Sequence, residues 1–233
     1  MPRRFLLLGS GEFEAWSTDV ERRALELATG DGSVVIAPTA SANDGDAVFD
    51  RWATMGLEHY RASGVPAEVL RVKTPRDAAR EDLAARAERA SVIYFSGGKP
   101  QLLADVLRDS ALLAAILRAM DRGAVWAGCS AGAMVASRSR DGQRGTSWLF
   151  GLGLVPNVSF GVHWDRLRKI PGAGWWMTSR VPEGSWFVGI DERTAILGDG
   201  ERWEVDGAGA VEVRGSDASA SYRAGERFVT STS

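Results

Sequence analysis

Along residues 1–137, short apolar runs alternate with longer stretches in which apolar positions recur every three or four residues. The runs at 5–8, 34–37, 68–72, 92–95 and 124–127 are bounded by glycine, proline or charge and predict buried strands. The stretches at 14–28, 47–63, 77–90, 101–107 and 112–120 predict helices; in the first, Trp16, Val20, Ala24, Leu25 and Ala28 share a face. Strands that alternate with helices argue for βαβ units, hence an α/β fold with a mostly parallel sheet and helices on both faces. Such sheets bind ligands at the carboxyl ends of their strands. Three glycine-bearing turns fall there: Gly9-Ser10-Gly11, Gly97-Gly98 and the turn at 128–132.

From 138 onward the pattern changes. Residues 138–146 are polar and predict a loop, and 187–190, 194–197, 202–205 and 210–213 predict short strands parted by turns such as Asp206-Gly207. The expectation is one domain over 1–233 whose last third adds mixed or antiparallel strands to the same sheet. Six of the nine tryptophans lie within 148–203, as core packing, an aromatic wall beside a site, or a dimer surface.

Composition narrows the function classes. A net charge of -2, from 28 basic and 30 acidic residues, gives no electrostatic reason to expect a nucleic-acid partner. One cysteine excludes an internal disulfide, and with only two histidines, far apart, it argues against a zinc site. No metal or cofactor is expected. The basic start at Arg3-Arg4 runs into an apolar stretch that stops at Gly9, short of the roughly 7–15 residues of a secretory core. No run approaches the ~20 apolar residues of a membrane span, so a cytoplasmic protein away from membranes is expected.

The strongest motif is Gly128-Cys129-Ser130-Ala131-Gly132-Ala133, a G-x-S-x-G that follows an apolar strand and opens a helix. A serine at such an elbow is lifted out of the sheet, and its neighbours must be small because strand and helix approach closely. The N–H of Ala131 then points where an oxyanion would develop, at a helix N-terminus that favours negative charge. Cys129 is one position early for a nucleophile and is expected to be buried and inert. The serine needs a base, and the base an orienting acid. His59, late in an amphipathic helix, reads as solvated; His163, after the strand-like 158–162, reads as the base. The acid order of an α/β-hydrolase fails, since Asp141 is the one acid between 131 and 162. Asp191 or Glu192, in a turn after a predicted strand, could orient His163.

With Ser130, His163 and Gly189-Ile190-Asp191-Glu192 in hand, the chain resembles the peptidase E and cyanophycinase family of serine peptidases. The resemblance also takes in Gly9-Ser10-Gly11-Glu12, Ser96-Gly97-Gly98 and Gln101-Leu102. It implies a class I glutamine amidotransferase-like (flavodoxin-like) fold, Ser130 as nucleophile, His163 as base and Glu192 as acid. It also implies an oxyanion hole from the N–H groups of Gly98 and Ala131, and Gln101 near the substrate. Family substrates carry an aspartyl group, as in N-terminal Asp dipeptides or β-aspartyl-arginine, and a free carboxylate calls for fixed positive charge. Lys99, Arg166, Arg168 and Arg180 are the candidates. Two departures bear on the substrate: Lys99-Pro100 stands where the family has Asn or Asp, and the arginines after His163 are shifted by one residue. The reading is a serine peptidase for small aspartyl-containing peptides, with a homodimer conceivable. A non-catalytic binding module, a general small-acyl esterase or amidase, and a glutamine amidotransferase are the competing readings.

Overall fold

The buried apolar runs of the amino-terminal part become the centre of a sheet. In the structure, a computed structural model, residues 2–138, 151–179, 181–215 and 219–231 are described. Strands β1 (Arg4–Leu8), β2 (Val34–Ala37), β3 (Ala67–Val69), β4 (Val92–Phe95) and β5 (Val125–Cys129) alternate with helices α1 (Thr18–Leu27), α2 (Asp46–Ala62), α3 (Pro75–Ala78), α4 (Glu81–Arg89), α5 (Pro100–Leu107) and α6 (Ala111–Asp121). β2, β4 and β5 are buried at every position, which is why they read as unbroken apolar runs rather than as alternation. Helix α7 (Ala131–Met134), β6 (Val158–Gly161), α8 (Trp164–Leu167), α9 (Ala173–Thr178) and six strands follow: β7 (Trp186–Ile190), β8 (Thr194–Gly198), β9 (Arg202–Gly207), β10 (Ala210–Arg214), β11 (Ser219–Arg223) and β12 (Arg227–Val229).

Among the described residues the main sheet runs β12-β9-β8-β1-β5-β4-β2-β3. The five amino-terminal strands are parallel, and β8, β9 and β12 extend the sheet antiparallel beyond β1. The expected α/β architecture is therefore present. One expectation is corrected: the last third does not all join that sheet, because β6, β7, β10 and β11 form a second one, in the order β11-β10-β7-β6. Period-two alternation places Phe5 and Leu7 on one face of β1, in a core shared with Val188, Ile190, Val211 and Val213 of the second sheet. Leu6 and Leu8 face the other core, beneath α1 and α2. A second correction concerns 77–90, which is two helices. Thr74 Oγ1 accepts the Asp77 N–H while Asp77 accepts the Thr74 N–H, a capping box that starts α3 at Pro75, before α4 begins again after Arg80.

Most of the loop expected at 138–146, and Trp148, lie outside the described residues. The other tryptophans of that region do not form one wall. Trp203 packs in the main core against Phe5 and Phe160, Trp164 lies on Phe187, and Trp175 is exposed. No helix among the described residues is long and apolar enough to cross a membrane.

Candidate active site

The carboxyl ends of β1, β4 and β5 meet at Ser130. Leu8 pairs with Cys129 and Phe95 with Gly128, so the turns after all three strands open on the same edge. Ser130 has φ 49 and ψ -105, a positive-φ conformation that a residue with a Cβ adopts only under strain. Hydrogen bonds hold it there. Its N–H donates to the Leu8 carbonyl at 3.0 Å, and its own carbonyl accepts from the N–H groups of Ala133 and Met134. Small residues permit the turn: a Cβ on Gly128 would stand 2.3 Å from the Gly132 carbonyl, and one on Gly132 would stand 2.3 Å from the Phe95 oxygen. Trp126 braces the arrangement from the strand side. Its ring stacks on Phe95 at 4.5 Å and its Nε1–H donates to the Gly132 carbonyl at 3.1 Å. Full burial of such a side chain contributes roughly 1.5–3 kcal/mol.

The second sheet delivers His163 and Glu192. β6 and β7 are parallel and in register at Gly161 and Gly189, so the residues after their ends emerge side by side. His163 sits at φ 51 and ψ 37, just before α8. Trp164 anchors it. The indole is fully buried over Gly189, where a Cβ would lie 2.6 Å from the ring, and its Nε1–H donates to Glu212. The turn between β7 and β8 is tied to the end of β1, because the Gly9 N–H donates to the Thr194 carbonyl at 2.9 Å and a Cβ on Gly9 would meet the Asp191 carbonyl. The side chains come into line. Ser130 Oγ lies 3.2 Å from His163 Nε2, and His163 Nδ1 lies 2.9 Å from Glu192 Oε1. Glu192 is held in turn: Arg166 reaches its Oε2 at 2.8 Å, and its N–H donates to Asp165 at 3.0 Å.

Of the two acids left open by the sequence, Glu192 meets His163. Asp191 is buried beside β10 and accepts the Ala210 N–H at 3.1 Å, with Arg168 at 3.4 Å. Burial raises its carboxyl pKa, against the lowering effects of the Ala210 N–H and Arg168.

The Gly97-Gly98 turn faces the elbow, since a Cβ on Gly97 would lie 3.9 Å from Ser130 Oγ. At Gly98, with φ +143, a Cβ would lie 2.5 Å from the Ala40 carbonyl, so only glycine fits. Neither the Gly98 nor the Ala131 N–H has an acceptor among the described residues. The charged and polar candidates around the site all have partners: Lys99 pairs with Asp44, Gln101 donates to Asp105, Arg166 pairs with Glu192, and Arg168 with Asp191. Arg180 lies outside the described residues.

Cys129 is fully buried, as expected, and burial with the neighbouring Glu12 pushes its thiol pKa well above the usual range. His59 overturns its expectation. Its side chain is only 8% exposed and its Nε2 lies 2.8 Å from the buried Glu21 in the α1–α2 packing. Glu12, quoted in the sequence only as part of Gly9-Ser10-Gly11-Glu12 and given no role there, is a site residue: it is buried under the elbow, four residues beyond the end of β1.

Comparison with known proteins identifies the family. The profile of peptidase family S51 matches residues 5–205. A cyanophycinase from Geminocystis herdmanii is 27% identical over 226 residues, which cover 89% of this chain and 79% of the relative. The crystal structure of a peptidase from an acI-B1 actinobacterium superposes with a TM-score of 0.88 at 29% identity, covering 98% of this chain and 97% of the other. A protein named for peptidase E from Listeria monocytogenes shares the fold, with a TM-score of 0.63 at 19% identity over 89% of this chain and 99% of its own. The chain belongs to peptidase family S51 and is a serine-type peptidase.

Proposed function

We propose that the chain hydrolyses a peptide or isopeptide bond through an acyl-enzyme on Ser130, with small aspartyl-containing peptides as its substrates. The observation that carries this reading is the unbroken line from Ser130 Oγ through His163 to Glu192. In the first step Ser130 Oγ attacks the carbonyl carbon while its proton passes to His163 Nε2. The carbonyl oxygen becomes an oxyanion opposite the unengaged N–H groups of Gly98 and Ala131. The C–N bond then breaks as His163 returns the proton to the leaving amine, and water, deprotonated by the same nitrogen, releases the acid. Glu192 accepts the Nδ1–H, keeps the tautomer in which Nε2 can act as base, and stabilises the imidazolium.

Glu192→Gln is therefore expected to lower kcat by roughly 10⁴-fold, since the amide favours the wrong tautomer. Asp191→Asn should stay within about tenfold of the parent, because Asp191 lies against Ala210 rather than His163. Steady-state kinetics of both variants check the assignment, and the reverse ranking would make Asp191 the acid. The stability effect of Asp191 has a definite sign. A carboxyl whose pKa is raised by folding favours the folded state only while it is protonated, and that contribution is lost as pH rises through the raised value. Thermal melts should therefore show the parent losing more stability than Asp191→Asn between acid and neutral pH.

Aspartyl specificity is supported by the likeness to a cyanophycinase and by two cations next to site residues: Lys99, which follows Gly98, and Arg166, which pairs with Glu192. A panel of Asp-Xaa dipeptides, β-aspartyl-arginine, Ala-Xaa controls and a simple ester tests it. One aspartyl class should dominate kcat/KM. Lys99→Ala should then raise KM for that class by about tenfold or more, the value of one charge-assisted hydrogen bond. Equal turnover of the Ala-Xaa controls and the ester would instead favour a general hydrolase.

A further inference from the structure

Nothing in the proposed acyl transfer uses Glu12, yet its carboxylate is buried against the elbow. A buried carboxylate is costly unless hydrogen bonds satisfy it, so its partners are informative. Oε1 accepts the Gly97 N–H at 2.8 Å, and Oε2 accepts the Cys129 Sγ–H at 2.9 Å. Gly97 precedes Gly98, and Cys129 precedes Ser130. One side chain thus links the turn after β4 to the end of β5. The Gly97 N–H turns inward to Glu12, while exposed Gly98 keeps an N–H with no acceptor among the described residues. The high thiol pKa of Cys129 keeps its proton available to donate.

We infer that Glu12 is a positioning residue that sets the spacing between the Gly98 N–H and Ser130 Oγ by clamping Gly97 to Cys129. The inference rests on the reading of Ser130 as nucleophile and Gly98 as oxyanion donor. Reach matters to such a clamp and charge does not. Glutamine keeps an oxygen for the Gly97 N–H and turns an N–H toward the Cys129 sulfur, a weak acceptor. Aspartate keeps the charge but is one methylene too short.

The experiment is labelling of Ser130 by a fluorophosphonate, which needs no natural substrate, with kinact and KI separated for Glu12→Gln, Glu12→Asp and Glu12→Ala. Glu12→Asp and Glu12→Ala are expected to lower kinact by roughly 100-fold, the cost of a misplaced catalytic group, with KI unchanged. Glu12→Gln should recover most of the rate. If Glu12→Ala does not fold, the Gln and Asp variants decide between them. Parental kinact in Glu12→Asp, or equal losses in Gln and Asp, would overturn the clamp. So would a change in KI alone. Ser130→Ala, labelled in parallel, separates the two ideas. Continued labelling at another residue at the parental rate would remove the nucleophile reading and the clamp with it. Loss of labelling there, with parental kinact in Glu12→Asp, would remove the clamp alone.

Discussion

Replacing Ser130 with alanine is expected to lower kcat by roughly 10⁶-fold on whichever peptide the enzyme cleaves, as for other serine hydrolases that lose the nucleophile. KM should change little, because the hydroxyl contributes through the bond it forms. The neighbouring Cys129 is not positioned to take over. Cys129 is fully buried, hydrogen-bonded to Glu12 and held as a thiol, and a thiol without access or ionisation is a poor nucleophile. Cys129→Ala should accordingly still be labelled at Ser130, at a rate lowered toward that of Glu12→Ala because it removes the contact with Glu12. Residual turnover of Ser130→Ala within tenfold of the parent would mean that the reaction does not pass through this residue. The same position carries a stability prediction of opposite sign. Ser130 holds φ 49, and glycine adopts that conformation without the roughly 1–2 kcal/mol that a Cβ costs there. Ser130→Gly should be inactive yet melt about 2–4 °C higher, the shift that a gain of about 1 kcal/mol gives in a chain of this size. Calorimetry of parent, Ser130→Ala and Ser130→Gly reads this directly, since alanine removes the hydroxyl and keeps the strain.

The parts legible in the sequence are those with local causes. Val34 to Ala37 and Val92 to Phe95 are strands at the predicted residues because a strand buried on both faces must be apolar throughout. The elbow was legible because the close strand-to-helix approach demands Gly128 and Gly132, whatever the rest of the fold. Other features depend on distant partners. β11 is exposed and polar at nearly every position, so no alternation marks it, and it exists through pairing with β10. The four-residue helix α8 is held by the burial of Trp164 on Gly189, a contact that no periodicity encodes. His59 read as solvated because it sits beside Glu58 late in an amphipathic helix, yet its own face meets Glu21 on α1. Asp191 and Glu192 were equivalent in the sequence, since both follow a strand. Successive residues there point to opposite sides, and the register of β7 against β6 and β10 decides which one meets His163. Lys99, Gln101, Arg166 and Arg168 were named for a substrate, and each is engaged by an acidic neighbour.

The largest stability effect should come from Gly128→Ala, a change of one methyl group. The added Cβ would lie 2.3 Å from the Gly132 carbonyl carbon and oxygen and 2.8 Å from the Ala133 nitrogen. All three are backbone atoms, so no side-chain rotation relieves the contact, and strand β5 and helix α7 must separate. Overpacking of this kind costs about 3 kcal/mol, a fall of roughly 6–12 °C in Tm. Activity should fall further than stability implies. The separation would move Ser130 away from His163, and a displacement near 1 Å costs about 100-fold in rate. Gly64→Ala is the control. It lies at φ +70 with nothing within 4 Å of the new Cβ, so it carries the conformational cost of about 1–2 kcal/mol without crowding and far from the elbow. Gly64→Ala should therefore melt about 2–8 °C lower with parental kcat, whereas Gly128→Ala loses both stability and rate. If the folded fraction of Gly128→Ala kept parental kcat, close approach of strand and helix would not be what holds the serine in place, and the bond that Ser130 donates to Leu8 and those it accepts from Ala133 and Met134 would have to do so alone.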